Sequence, residues 1–300
     1  MDFSDVRPAR LTVGVVGAGR VGAVLGAALA RAGHHVVAVS GVSEESRERA
    51  AALLPDVPLV DPAEVVRRAE LVVLAVPDDA LADLVSGLAA TGAWRPGQLV
   101  LHTSGRHGTE VFAPAAETGI LGMALHPAMT FTGTAMDLDR LVECCFGITA
   151  PEPLRPVAEA LVIELGAEPV WIAEEARPLY HAALAHGANH LVTLVAQALQ
   201  ALRAAGVEAP DRMLGPLAGA ALDNALRAGD AALTGPVARG DAGTVAEHLR
   251  QLQSLTPDVR PTYLALARAT AERALASGRL RPHAAEPLLE ILGTDPRSDP

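Results

Sequence analysis

The feature that most constrains this chain is a run of six residues near its start. An apolar stretch, residues 11–16, leads straight into Gly17-Ala18-Gly19-Arg20-Val21-Gly22, and an Ala- and Leu-rich helical pattern follows over residues 21–32. In a strand that turns into a helix through glycines at this spacing, the first glycine makes the tight turn. The second lets a ligand approach the backbone, and the third lets helix pack on strand. The start of the helix then offers amide donors and partial positive charge to a pyrophosphate. Gly17, Ala18, Gly19, Arg20, Val21 and Gly22 are therefore candidate dinucleotide contacts. The order strand, turn, helix and second strand separates this turn from a chance one in a chain with 27 glycines.

The rest of the first half repeats that alternation. Short apolar runs at 36–39, 71–76, 99–102 and 121–125 read as further strands, and residues 44–54 as a helix stopped by Pro55. Asp61-Pro62-Ala63-Glu64 reads as a helix start, with Asp61 capping, Pro62 in the first turn and Glu64 reaching back. Alternating strands and helices predict a doubly wound parallel sheet covered on both faces, the Rossmann arrangement. The character changes after Trp171, where helical patterns follow one another at 177–205, 213–226, 244–255, 259–276 and 284–292. The predicted fold is α/β: an NAD(P)-binding domain over residues 1–173, then an all-α domain over 174–300 for substrate binding and dimerisation. Over 177–205 the apolar residues Leu179, Leu184, Leu191, Val192, Leu194, Val195, Leu199 and Leu202 go nearly all the way round the helix. Such a helix is expected to be buried, and in so small a domain this points to a homodimer.

Charge and composition exclude several classes. A net charge of -11 argues against a nucleic-acid or anionic-membrane surface. No apolar run is long enough for a membrane span. The adjacent Cys144 and Cys145 are ill placed for a relaxed disulfide, which fits a reducing cytoplasm. The opening Met1-Asp2-Phe3-Ser4-Asp5 lacks the cationic-then-apolar order of an export signal. All 24 basic residues are Arg. Any mechanism that needs a lysine acid or Schiff base is excluded.

The end of the second strand bears on the choice of cofactor. An NAD site usually places Asp or Glu there for the ribose hydroxyls. Here the chain reads Val39-Ser40-Gly41-Val42-Ser43. Ser40 and Ser43 can bond a 2′-phosphate, and Arg20, Arg47 or Arg49 can neutralise it, so the reading favours NADP; Arg49 reads rather as a solvated helix residue. Ligands of open α/β sheets sit at the carboxyl ends of the strands. The loops there are Val76-Pro77-Asp78-Asp79, with Pro77 as a rigid wall, His102-Thr103-Ser104-Gly105, and His126-Pro127. His102 and His126 each read equally well as functional or as hydrogen-bonded structural groups.

In the helical half, Tyr180-His181 and His186-Gly187-Ala188-Asn189-His190 place three histidines and an Asn on one stretch. Spacing by four puts His181, Ala185 and Asn189 on one helical face. His181 is suited to general acid work near neutral pH, and Asn189 to orienting a carbonyl or carboxylate. A metal on His186 and His190 is disfavoured, since no acid neighbours them, and no metal is expected. The turn Thr234-Gly235-Pro236-Val237-Ala238-Arg239-Gly240-Asp241 ends on a helix cap, Asp241. It offers Thr234 and Arg239 to an anionic ligand.

These segments together resemble the bacterial Rossmann-like proteins with a helical C-terminal domain of unknown function, often encoded near pantothenate-synthesis genes in actinobacteria. The matching pieces are Gly17–Gly22, residues 101–105, His126-Pro127, Tyr180-His181 with Asn189, and residues 234–241. The family is similar to the 6-phosphogluconate dehydrogenase-like superfamily, including ketopantoate reductases, 3-hydroxyisobutyrate dehydrogenases and pyrroline-5-carboxylate reductases. The resemblance implies NADP-dependent hydride transfer, and 2-dehydropantoate is one substrate it suggests. The superfamily's best-known reductases carry a Lys, followed by an Asn, on the first long helix of the second domain. His181 stands where that Lys would lie, with Asn189 eight residues on. The 234–241 turn is similar to the substrate loop of pyrroline-5-carboxylate reductases.

Three functions stay open on the sequence. The first is an NADP-dependent reductase of a small keto acid, with the nicotinamide near Pro77 and Ser104, His181 as acid, Asn189 as orienter, and His126, Ser104, Thr234 and Arg239 around the substrate. The second is an imine reductase of the same build. The third is a non-catalytic NADP-binding sensor.

Overall fold

The computed structural model describes residues 10–293; the opening residues 1–5 read above lie outside them. The chain divides into two compact units between Ala185 and His186.

The first unit is built on a seven-stranded sheet in the order β2-β1-β3-β4-β5-β6-β7. The strands are β1 (Thr12–Val16), β2 (His35–Ser40), β3 (Leu71–Leu74), β4 (Leu99–His102), β5 (Leu121–Pro127), β6 (Cys145–Thr149) and β7 (Glu168–Trp171). Every neighbouring pair is parallel except β5 with β6. The helices are α1 (Arg20–Arg31), α2 (Glu44–Leu53), α3 (Pro62–Arg68), α4 (Asp78–Ala90), α5 (Met136–Arg140), α6 (Arg155–Glu164) and α7 (Arg177–Leu184). Strand side chains alternate between two cores. Leu71, Val73 and Leu101 pack with α1 and α6 on one face. Val72, Leu74 and Val100 pack with α3 and α4 on the other. A sheet buried on both faces is why these strands read as unbroken apolar runs.

Local chemistry sets the ends of the elements. Gly33, at φ +97°, takes the left-handed turn after α1. Asp61 accepts a hydrogen bond from Glu64 N at 3.0 Å with Pro62 in the first turn, the start expected for α3. Each Val or Leu that α1 buries, such as Val24, Leu25 and Leu29, is worth about 1.5–3 kcal/mol.

The division at Ala185 leaves α7 in the first unit, twelve residues beyond the expected boundary after 173. Arg177 holds it there: its side chain is fully buried and bonds to atoms of β6 and of the loop after β4. A π-helical turn, Ala185–Asn189, follows α7. The added residue in that turn breaks the four-residue spacing, so the alignment of His181, Ala185 and Asn189 is not carried through it.

The second unit holds α8 (His190–Ala204), α9 (Pro210–Ala228), α10 (Gly235–Arg239), α11 (Ala242–Gln251), α12 (Val259–Ala276) and α13 (Pro282–Gly293). Helices α10 to α13 enclose a core of Val245, Leu249, Leu264, Leu280, Leu288 and Leu292. Asp241 caps α11 as expected, accepting from Thr244 N at 3.2 Å. The expectation that the stretch 177–205 is buried fails within this chain. Of α8 only Gln197 is buried, and Leu179, Leu191, Val192 and Leu194 are exposed. The same holds for α9, where Leu217 is 68% and Leu226 81% exposed. An all-round apolar pattern requires a cover, and among the described residues none covers these side chains. Among the described residues, no helix is long and apolar enough to cross a membrane.

Candidate functional site

The glycine turn has the geometry its sequence demands. Gly17 has φ +97°, and a Cβ there would lie 2.5 Å from the carbonyl oxygen of Ala75. A Cβ on Gly22 would collide with the carbonyl of Gly17 and lie 2.8 Å from the Ala75 side chain. Gly19 differs: a Cβ there would meet nothing within 4 Å. Gly19 also stands at the N-cap of α1 with no side chain capping it. The first-turn amides of a helix have no carbonyl of their own helix to bond. An open glycine beside uncapped amides fits a dinucleotide pyrophosphate, while the other two glycines are fixed by close backbone packing. Val76 lines the turn, its Cγ1 3.2 Å from the Gly17 Cβ position. Pro77 follows as the N-cap residue of α4.

The two serines after β2 are already engaged. Ser40 is buried, and its Oγ and carbonyl oxygen each accept from Gly17 N at 3.2 Å. Ser43 caps α2, accepting from Ser46 N at 3.2 Å. The cationic side chains are freer. Arg20 and Arg49 converge on Gly133, whose Cβ position is 3.0 Å from Arg20 Cγ and from Arg49 Nε. Buried Asp137 fixes that loop by accepting from Thr132 N at 2.8 Å and Gly133 N at 2.7 Å. Among the described residues neither arginine forms an ion pair. Arg49, read from sequence as a solvated residue, thus shares a neighbour with Arg20 near the end of β2. Their charges fit a 2′-phosphate better than the two engaged hydroxyls do.

The carboxyl edges of β4 and β5 carry the polar cluster. His102 is fully buried; its Nδ1 accepts from Ser104 N at 3.2 Å and its Nε2 faces the Gly108 carbonyl at 2.9 Å. Burial, with the cation of Arg177 adding to it, pushes its pKa down to about 4. His102 is therefore a neutral structural group. Ser104 is buried too: its Oγ accepts from His107 N at 3.1 Å, and its carbonyl from Arg177 Nη2 at 2.8 Å.

His126 is placed differently. Its Nδ1 is 2.8 Å from the Tyr180 hydroxyl. Its Nε2 is 3.0 Å from the Cβ position of Gly105, and the His181 Cδ2 is 2.7 Å from that position. Gly105 is glycine because two imidazoles close on it. Burial first, then Arg177 and His181, push the His126 pKa down to about 4. Beneath this cluster, Arg177 is 0% exposed. Its Nη1 donates to Thr149 Oγ1 at 2.9 Å and its Nη2 to Ser104 O, while its Nε has no partner. Sequence reading gave no role to Tyr180 or Arg177. Nothing in the sequence marks one Arg among 24 as buried; the Tyr180-His181 pair was the only local clue.

The first unit therefore brings together the glycine turn, Val76, Ser104, His126, Tyr180 and His181. Asn189, Thr234 and Arg239 belong to the second unit, where all three are exposed, Thr234 at the N-cap of α10 and Arg239 in its last turn. His186 and His190 form an exposed pair with their Nδ1 atoms 3.1 Å apart. Among the described residues no cluster could hold a metal ion.

Comparison with known proteins agrees with this architecture. Residues 1–127 match the Rossmann-like domain family, and residues 144–270 match a domain of unknown function, DUF2520. No curated protein matches the chain. A solved structure from Bacteroides fragilis, assigned as an NADP oxidoreductase, is 26% identical with a TM-score of 0.75, covering 88% of this chain and 98% of that one. An imine reductase from Myxococcus stipitatus in complex with NADP+ is 20% identical with a TM-score of 0.60, covering 89% and 95%. A pyrroline carboxylate reductase from Plasmodium falciparum with NADP bound is 12% identical with a TM-score of 0.56, covering 95% and 98%. The chain is thus similar to a Rossmann-like domain over its first part and to DUF2520 over most of the remainder, with NADP-binding oxidoreductases among the proteins that share its fold.

Proposed function

We propose that this protein is an NADPH-dependent reductase that transfers hydride to a small keto acid, with 2-dehydropantoate the first candidate to assay. The observation that carries the reading is the meeting at one sheet edge of the open Gly19 turn and the cluster of His126, Tyr180 and His181. NADPH held by Gly17 to Gly22, Val76, Pro77, Arg20 and Arg49 would supply the hydride. The chain's own residues orient the acceptor and supply the proton, and with no Lys in the sequence that proton comes from the His–Tyr cluster. His181 borders the same space, and Ser104 is the further residue of this unit proposed to act on substrate. Reduction of an imine is the second reading, favoured by the imine and pyrroline carboxylate reductases of similar fold. The exposed apolar residues of α8 and α9 support a homodimer formed through the second unit, which sedimentation measures.

NADPH and NADH affinities, followed by NADPH oxidation across keto acids and imines, test the proposal. Preferred binding of NADPH and turnover of at least one class are expected. Tight NADPH binding with no turnover would instead support a binding module. A clear preference for NADH would remove the role of Arg20 and Arg49.

A further inference from the structure

Arg177 is the least expected residue in the molecule. It is fully buried, forms no ion pair among the described residues and leaves its Nε unbonded. Removing a guanidinium from water is costly unless a charge or a full set of acceptors compensates it. Its acceptors are neutral: the carbonyl oxygens of Ser104 and Gly147 and the Thr149 hydroxyl. The guanidinium carbon lies 5.9 Å from the centre of the Tyr180 ring. Burial outweighs the pull of Tyr180, Glu174 and Asp78 on this cation and lowers its pKa, so a Tyr180 phenolate beside it would supply compensation that the phenol does not.

Tyr180 is linked in turn to the open side of the site. With the phenol donating to His126 Nδ1, the neutral imidazole carries its own proton on Nε2. That nitrogen faces Gly105 and His181, where the missing side chain leaves it uncovered. We propose that Tyr180 and His126 form a proton relay that ends on the oxygen of a carbonyl substrate, with buried Arg177 as the waiting counter-charge. This rests on the reductase reading and narrows its substrate class to carbonyl compounds rather than iminium cations.

The step balances. As hydride reaches the carbonyl carbon, the electron pair of the C=O bond moves to oxygen. The His126 Nε2–H bond breaks and an O–H bond forms. Nδ1 takes the Tyr180 proton, leaving neutral His126 and a phenolate beside Arg177. Solvent then reprotonates His126 Nε2 and the Nδ1 proton returns to the Tyr180 phenolate, which restores the starting tautomer. The groups facing His126 are Arg177, His181 and, more distantly, Asp78. Those facing Tyr180 are Arg177, Cys144, Cys145 and the backbone of Gly147. Burial raises the phenol's pKa, while Arg177 and the Gly147 backbone oppose that rise. At His126 the field of Arg177 outweighs that of Asp78, so an iminium cation placed here would meet the stronger of the two as repulsion.

The chain contains two tyrosines, so Tyr263→Phe leaves Tyr180 as the sole phenol. Fluorotyrosine incorporation in that background lowers its ionisation into a pH range the fold tolerates, and near-ultraviolet absorbance follows it without cofactor or substrate. Arg177→Met is expected to raise the Tyr180 pKa by roughly one unit or more, and Arg177→Lys to restore most of the shift. If Arg177→Met does not fold, Arg177→Gln, which keeps an amide donor for the buried acceptors, reads the same loss of charge. In turnover assays, Tyr180→Phe is expected to lower kcat by roughly 10²- to 10⁴-fold with little change in KM or NADPH affinity. Keto acids are expected to outrun imines. An unmoved Tyr180 pKa, an active Tyr180→Phe enzyme, or a preference for imines would overturn the relay while leaving the reductase reading in place. NADPH binding with no turnover of any substrate would overturn the reductase reading instead, and the phenol titration still judges the Arg177 coupling.

Discussion

The molecule contains two histidine–tyrosine pairs of nearly the same geometry in different surroundings. In the first unit, Tyr180 OH lies 2.8 Å from His126 Nδ1, with rings 5.6 Å apart and at 89°. In the second, Tyr263 OH lies 2.9 Å from His248 Nδ1, with rings 5.8 Å apart and at 82°. The second pair borders a cavity of about 530 Å³, lined by Leu194, Val237 and Leu266 among others. Burial alone raises the Tyr263 pKa. At Tyr180 a buried cation works against the same burial. Identical hydrogen bonds thus acquire different chemistry from one neighbour. The bond needs only two side chains, whereas the charge behind one of them has to be held by atoms of β6 and of the loop after β4.

The largest expected effect separates the pairs directly. Tyr180→Phe lowers turnover by roughly two to four powers of ten. Tyr263→Phe instead removes one hydrogen bond and costs about 1 kcal/mol of stability. Steady-state kinetics and denaturant melts on the two variants measure both; equal kinetic losses would break the comparison.

Acid stability comes next. His102 and His126 have folded-state pKa values lowered to about 4, against an unfolded value of about 6.5. Between those values the unfolded chain binds more protons, so stability rises with pH. The contribution of each neutral histidine is full above about pH 6.5 and is lost as pH falls toward 4. Each is worth roughly 3 kcal/mol at its maximum. His126→Gln should flatten the fall in stability between pH 6.5 and 4, and an unchanged slope would show that His126 titrates normally.

A smaller effect tests access to the relay. Gly105→Ala puts a methyl group against His126 Nε2 and His181. Turnover should fall roughly tenfold or more, with NADPH affinity retained. A fully active Gly105→Ala enzyme would mean that the proton leaves by another path. The smallest effect lies at the cofactor's far end. Arg20→Ala and Arg49→Ala should each weaken NADPH by about 0.5–1 kcal/mol if they contact the phosphate from the solvent side, leaving NADH unaffected. Parallel titrations with the two nucleotides read this, and equal losses for both would place the arginines elsewhere.

The sequence made some of this legible for a physical reason. The glycine turn, the parallel strands and the caps at Asp61 and Asp241 depend on residues close in the chain, and they are found where expected. Strands β6 and β7 were missed: each is short, and β6 enters antiparallel with a glycine at its centre. The helical stretch after Arg177 showed its apolar character but not its exposure, because a pattern records the need for a cover and not what provides it. Ser40 and Ser43 looked available because sequence does not show that a hydroxyl is already bonded to backbone. Arg177 was hidden most thoroughly. Its burial is decided by acceptors at Ser104, Gly147 and Thr149, remote in sequence and brought together only by the sheet.

The most direct test of the account is a product assay on the intact chain. NADPH is mixed with a panel of 2-oxo acids, and the formation of 2-hydroxy acid is measured for the wild type and Tyr180→Phe side by side. The account predicts one hydroxy acid formed per NADPH consumed by the wild type, and a loss of at least roughly a hundredfold in the variant. NADPH that binds and is never consumed, or equal product from both proteins, would contradict it.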